Sequence, residues 1–113
     1  MSDGRPVHVV ALNGGTTAEI MLVGELDLDA EELVRPAVTE ALIDPQVRHL
    51  NIDVALVGFC DSGGLTVLTR AYQQAAAVGV TLRVINVGRR LRRILDLTGL
   101  WDILDCTEAT EGP

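Results

Sequence analysis

The residues that could do chemistry lie in one stretch, Phe59-Cys60-Asp61-Ser62-Gly63-Gly64-Leu65. A hydroxyl stands where an apolar run ends and a helical pattern begins. The first backbone N–H groups of a helix have no intrahelical partner and sit at the positive end of its dipole, so an anion is favoured there. A phosphate on Ser62 would meet those amides and add roughly 1.5 to 2 negative charges at neutral pH. Gly63 and Gly64 have no side chains and leave the approach open. A plain helix cap by Asp61 or Ser62 explains the same residues, and on these residues alone it is favoured, since Ser and Asp are ordinary cap types. A hydrolase nucleophile fits poorly. The G-x-S-x-G elbow needs glycine where Cys60 stands, and both histidines, His8 and His49, precede Ser62, against the order of that fold.

Other chemistries are excluded by inventory. The chain contains no lysine, and its nine basic residues are all arginine. That removes the P-loop, the kinase strand lysine and internal Schiff-base catalysis. The net charge of -7 argues against general nucleic-acid binding and against an anionic membrane surface. Cys60 and Cys106 form no C-x-x-C and no disulfide framework. Cys60 reads as a small apolar core residue, with redox modulation as the alternative. Asp96, Asp102 and Asp105 do not stand with His or Cys at a metal-ligand spacing, so no metal or cofactor is expected. Arg89, Arg90, Arg92 and Arg93 alternate with Leu91, Ile94 and Leu95 and read as the solvated face of an amphipathic helix. The alternative is a rim contact for an acidic partner. Trp101, the only tryptophan, reads as a cover over the end of that helix, with an exposed anchor as the alternative.

These residues need a scaffold, and 113 residues at 48% hydrophobic suffice for one domain with one core. Aromatics are only 3%, so that core is aliphatic. Residues 1–6 read as a disordered tail, 7–106 as the domain and 107–113 as a polar tail. Val7 to Leu12 and Thr17 to Val23 read as strands joined at Asn13-Gly14-Gly15. Gly24-Glu25-Leu26-Asp27 closes the second strand. Asp29, three residues before Glu32, marks a capping box for a helix reaching Ile43 and burying Val34, Val38 and Ala41 or Leu42. Pro36 places the start of the regular helix near itself, after a loose turn. His49 to Val54 reads as a buried strand, with Val57 to Cys60 continuing it or bending away after Gly58. The next helix faces the core with Leu65, Leu68, Tyr72 and Ala75, and Gly79 ends it at C′. Thr81 to Val87 is the last strand. The helix after Gly88 buries Leu91, Ile94 and Leu95, and Ile103-Leu104 form a last short element. Alternating strands and helices after a hairpin predict an α/β fold: a mixed sheet of about four to five strands with helices packed on it. No signal-like segment opens the chain and no apolar run spans a bilayer, so a soluble cytoplasmic protein is the expectation.

Asp61-Ser62-Gly63-Gly64-Leu65 followed by Val67-Leu68 resembles the D-S-x-G-L stretch of STAS-domain anti-sigma factor antagonists. Gly24-Glu25-Leu26-Asp27 is similar to that family's G-E-L-D segment, and Leu50-Asn51-Ile52-Asp53 to its strand ahead of the phosphosite. Val87-Gly88 through Arg93-Ile94-Leu95-Asp96-Leu97-Thr98-Gly99-Leu100 is similar to its last helix and T-G-L ending. The resemblance covers about Val7 to Ile103. It implies a STAS fold and a binding module that is not an enzyme. It implies phosphorylation at Ser62 by the partner, an anti-sigma factor serine/threonine kinase with a GHKL-type ATPase fold. It also implies that the unphosphorylated form binds this partner and frees a sigma factor, and that a PP2C-type phosphatase resets the switch. Asp27 and Asp61 match family acidic residues beside the phosphosite, with Gly63, Gly64 and Leu65 completing its surroundings. Many relatives carry a second serine where this chain has Gly63. Two alternatives remain: a non-phosphorylated scaffold or accessory subunit, and a STAS module that senses a nucleotide or another small molecule.

Overall fold

The computed structural model describes residues 8–109. Val7 and the tail expected over 1–6 lie outside the described residues, as do residues 110–113. Strand β1 (His8–Gly14) turns back at Gly15-Thr16 into β2 (Thr17–Leu26). Gly15 has φ +69°, as the first residue of a II′ hairpin requires. A 3₁₀ turn (Leu28–Ala30) leads into α1 (Glu31–Ile43), and then come β3 (His49–Cys60) and α2 (Ser62–Ala76). They are followed by β4 (Thr81–Ile85), α3 (Arg89–Leu97) and the short α4 (Leu100–Ile103). The four strands form one sheet in the order β1-β2-β3-β4. β1 is antiparallel to β2, and β2, β3 and β4 are parallel. This is the mixed α/β sheet that the element order predicts, at the low end of the expected strand count.

The faces follow from the period-2 pattern of strands. Ala18, Ile20 and Leu22 in β2, Leu50, Ile52 and Val54 in β3, and Leu82 and Val84 in β4 are buried. Helix α1 covers them with Val34, Val38 and Ala41, and α2 with Val67, Leu68, Ala71 and Ala75. A bond from Gln74 Nε2 to Thr39 Oγ1 (2.6 Å) joins the two helices on that face. Each fully buried Leu or Ile contributes about 1.5–3 kcal/mol of transfer free energy. Thr17, His49, Asn51, Thr81 and Arg83 line a polar cleft of about 210 Å³ along the starts of the parallel strands.

Several expectations need correcting. β2 does not close at Val23. It runs through Gly24 and Glu25 to Leu26, and the residue offset is absorbed by register shifts against β3 at Met21/Val23 and Gly24/Glu25. β3 continues through Gly58, the extra residue of the second shift, rather than bending away. Asp29 and Glu32 form no capping box: the N-cap of α1 is Ala30, without a side-chain bond, and Asp27 caps the 3₁₀ turn ahead of it, its Oδ1 accepting the Asp29 N–H at 3.0 Å. The regular helix begins at Glu31, not near Pro36. Pro36 is exposed, and burial of Val34 and Val38 on either side offsets the one hydrogen bond it removes. In α2 the buried stripe is Val67, Leu68, Ala71 and Ala75, while Leu65 and Tyr72 are half-buried against its edge. In α3 only Leu95 is fully buried, with Leu91 half-buried on the core. β4 stops at Ile85 because Asn86 takes a left-handed conformation (φ 60°).

Gly79 does close the α2 segment. It has φ +75°, its N–H donates to Ala76 O and that of Val80 to Ala75 O, the paired bonds of a Schellman turn. Residues 104–109 run beside β4. Val84 donates to Leu104, Thr107 to Val84, Val87 to Thr107, and Ala109 to Val87. The outer edge of β4 is thereby covered.

Candidate functional site

The parallel strands bring the sequence-predicted residues to one end of the sheet. Leu26 of β2 pairs with Cys60 of β3. The chain leaves β2 through Asp27 and leaves β3 through Asp61, so the two exits lie side by side. Asp61 is the N-cap of α2: its backbone is extended, and Oδ1 accepts the Gly64 N–H at 2.9 Å. Of the two possible caps, the structure selects Asp61. Ser62 is then the first helical residue and is exposed. Its carbonyl accepts the Thr66 hydroxyl at 3.1 Å. The anion seat at the third amide of this helix is therefore already filled by the chain's own carboxylate, a favourable charge for a helix N-terminus.

The glycines are a packing requirement as well as an opening. A Cβ at Gly64 would lie 2.3 Å from the Leu26 carbonyl oxygen and 2.8 Å from Cys60 Sγ. Helix α2 rests directly on the end of β2 at this point, and the Asp61 N–H reaches the same Leu26 carbonyl at 3.3 Å. A Cβ at Gly63 would stand 2.7 Å from Leu28 N and 3.0 Å from Leu28 Cβ. The Asp27–Leu28 turn closes over Gly63, which puts Asp27 beside the Ser62 turn. Leu65 is half-buried and anchors the first turn of α2 to the core. Asp27, Asp61, Ser62, Gly63, Gly64 and Leu65 are thus one constellation.

Two residues to which the sequence assigned no role belong to this surface. Leu28 is 52% exposed and Phe59, the only phenylalanine, is 50% exposed. Leu28 sits between two aspartates in a polar turn and Phe59 ends an apolar strand. The available signal was a large apolar residue on each side of the acidic cap. Glu25, Asp29 and Asp61 are exposed around them. Each of the two strand exits thus carries one exposed apolar side chain: Leu28 against Gly63, and Phe59 two residues before the Asp61 cap.

Cys60 is half-buried and its Sγ donates to the Asp61 carbonyl at 3.6 Å. Burial, aided by the Asp61 charge, pushes its pKa up to about 11, and burial pushes Cys106 up to about 12. Both thiols stay protonated near neutrality, which makes them poor nucleophiles. His49 starts β3 and Ser62 follows its end, twelve strand residues away, a separation on the order of 30 Å or more. It cannot act as a base for this serine. Among the described residues no group of His, Cys, Asp and Glu could hold a metal ion. No helix among them is long and apolar enough to cross a membrane.

Asp53 is the one buried charged side chain among the described residues. Its Oδ1 accepts the Ala55 N–H at 2.9 Å and its Oδ2 the Asn86 Nδ2 at 3.0 Å. It ties the irregular stretch of β3 to the loop that leads into α3.

The family model of the STAS domain matches residues 10–112. The anti-sigma-B factor antagonist of Bacillus subtilis is 30% identical over 94 residues, covering 83% of this chain and 84% of that one. The structure of an anti-sigma factor antagonist from Mycobacterium paratuberculosis superposes with a TM-score of 0.78 at 23% identity, covering 97% of this chain and 92% of that one. The Bacillus cell fate determinant SpoIIAA, in its phosphorylated form, superposes with a TM-score of 0.67 at 24% identity, covering 93% and 92%.

Proposed function

The chain belongs to the STAS-domain family of anti-sigma factor antagonists, and we propose that it is a phosphorylation-controlled binding module of the cytoplasm. Its unphosphorylated form binds an anti-sigma factor and so releases a sigma factor. The anti-sigma factor is itself a serine kinase with a GHKL-type ATPase fold, and it phosphorylates Ser62. A PP2C-type phosphatase removes the phosphate.

The observation that carries this reading is the exposed Ser62 hydroxyl on the first residue of α2, at the strand exits that also carry the exposed Leu28 and Phe59 and the acidic Asp27 and Asp61. A hydroxyl in that position is open to a partner's nucleotide. Once phosphorylated, it places roughly 1.5 to 2 further negative charges beside the Asp61 carboxylate. The third amide of α2 is engaged by Asp61, so the phosphate shares its turn with a fixed like charge. A partner covering Leu28 and Phe59 would have to bury that charge or withdraw from it. A loss of about 3 kcal/mol weakens binding by roughly a hundredfold. No backbone movement is needed: the phosphate blocks the contact by charge and bulk. SpoIIAA, solved in a phosphorylated form, has the same fold.

Partner capture on Ser62→Ala and Ser62→Asp baits tests the proposal. A GHKL-type kinase retained by the Ala bait and lost by the Asp bait is the expected result. The same partner on both baits, or no such kinase on either, would remove the switch.

A further inference from the structure

The arginine cluster of α3 has no task in the switch. Arg92 is engaged: it pairs with Glu108 and Asp96, and its guanidinium carbon lies 4.5 Å from the Trp101 ring centre. Arg90 and Arg93 are exposed and make no ion pair among the described residues. Arg90 lies in the first turn of a nine-residue helix whose N-cap, Gly88, supplies no side chain, and Arg93 is the central residue of that helix. A cation near a helix N-terminus opposes its dipole, so helix stability does not account for Arg90. The chain carries -7 overall, which sets these guanidinium groups apart from most of its surface.

Arg90 also borders an apolar groove. The groove encloses about 190 Å³ between the end of β3 and α3, and Val57, Phe59, Leu91 and Ile94 contribute to its walls. Leu97, three residues beyond Ile94 on the helix, is 78% exposed and extends the apolar stripe. At 3.6 residues per turn Arg90 falls between Ile94 and Leu97 on that stripe, and Arg93 at its Leu97 edge. The surface therefore combines apolar seats with an arginine on its α3 wall that has no ion pair among the described residues, while Glu25, the register partner of Phe59, keeps the β3 wall acidic.

We propose that this groove binds an acidic amphipathic segment of a protein partner. Apolar side chains of the segment fill the space between Phe59 and Ile94, and its carboxylates meet Arg90 and Arg93. Complementary charge selects the partner and speeds encounter, while the apolar seats hold it. The groove adjoins the Ser62 turn through Cys60, but its binding needs no phosphate and stands whether or not Ser62 is a phosphoacceptor. Nucleic acid would use the arginines without the apolar walls.

The test is a titration of the ¹⁵N-labelled full chain with two synthetic helical peptides that share one leucine stripe, one rich in glutamate and the other in lysine. The glutamate peptide should shift the amides of 57–60 and 90–97, and the lysine peptide should not. Arg90→Glu with Arg93→Glu should weaken the glutamate peptide at least tenfold and let the lysine peptide bind. Both side chains are exposed, so dispersed spectra should confirm an unchanged fold. Ile94→Ala should weaken the glutamate peptide without altering its preference over the lysine one. Equal binding of both peptides, shifts confined to other surfaces, or no binding would overturn the proposal. So would displacement of the glutamate peptide by a short DNA duplex.

Discussion

Helices α2 and α3 start at the same end of the sheet, each after a parallel strand, and their first turns are built in opposite ways. The α2 turn has a carboxylate cap on its third amide and a glycine seated against the Leu26 carbonyl. The α3 turn starts from a glycine without a side-chain cap and continues into arginines that oppose the dipole. Space differs too. A Cβ at Gly64 would collide with backbone, while one at Gly88 would meet nothing within 4 Å. The first turn is fixed, and it carries the exposed Ser62 hydroxyl. The second has forgone local stabilisation, and what it retains is a charged, half-apolar surface. The Asp53 carboxylate lies between them, holding the β3 bulge to the loop ahead of α3.

The sharpest way to break the contrast is Gly64→Ala. The methyl group would overlap the Leu26 carbonyl and Cys60 Sγ. We expect a loss of about 3 kcal/mol, read as a lower urea midpoint. The link between the two regions comes next. Asp53→Ala strands the Ala55 N–H and the Asn86 amide, and should cost about 2 kcal/mol in the same assay. Removing the α2 cap with Asp61→Ala should cost about 1 kcal/mol. Smallest is the reverse experiment on α3. Gly88 has an extended backbone (φ -77°, ψ 171°) and open space around it. Gly88→Asp should therefore add a cap and a favourable charge, raising stability by about 0.5 kcal/mol. A gain there as large as the loss at Asp61 would show that the α3 arginines are a heavier burden than proposed.

What the sequence revealed follows the range of the forces involved. Asp61 as a cap and Gly79 as a helix terminator depend on neighbours within five residues, so residue type and spacing were enough to find them. The extension of β2 to Leu26 was hidden because Gly24 and Glu25 look like a turn when read alone; the partner strand makes them strand. That Asp27 caps a 3₁₀ turn, instead of Asp29 capping the helix, depends on where β2 ends, which is set by the same pairing. The shift of the α2 core stripe to Val67 and Ala71 reflects the rotation of the helix on the sheet. The backbone contact over Gly63 and the groove beside Phe59 join segments more than thirty residues apart in sequence. No local pattern encodes them. The resemblance to known antagonists supplied the phosphosite reading that local chemistry left as a helix cap.

The most direct measurement is the affinity of the captured anti-sigma factor for the Ser62→Ala and Ser62→Asp chains, by titration calorimetry at one salt concentration. The account predicts binding at least a hundredfold weaker for the Asp chain, with both chains equally stable. Affinities within about threefold of each other would contradict it, because charge at Ser62 would then not control the partner.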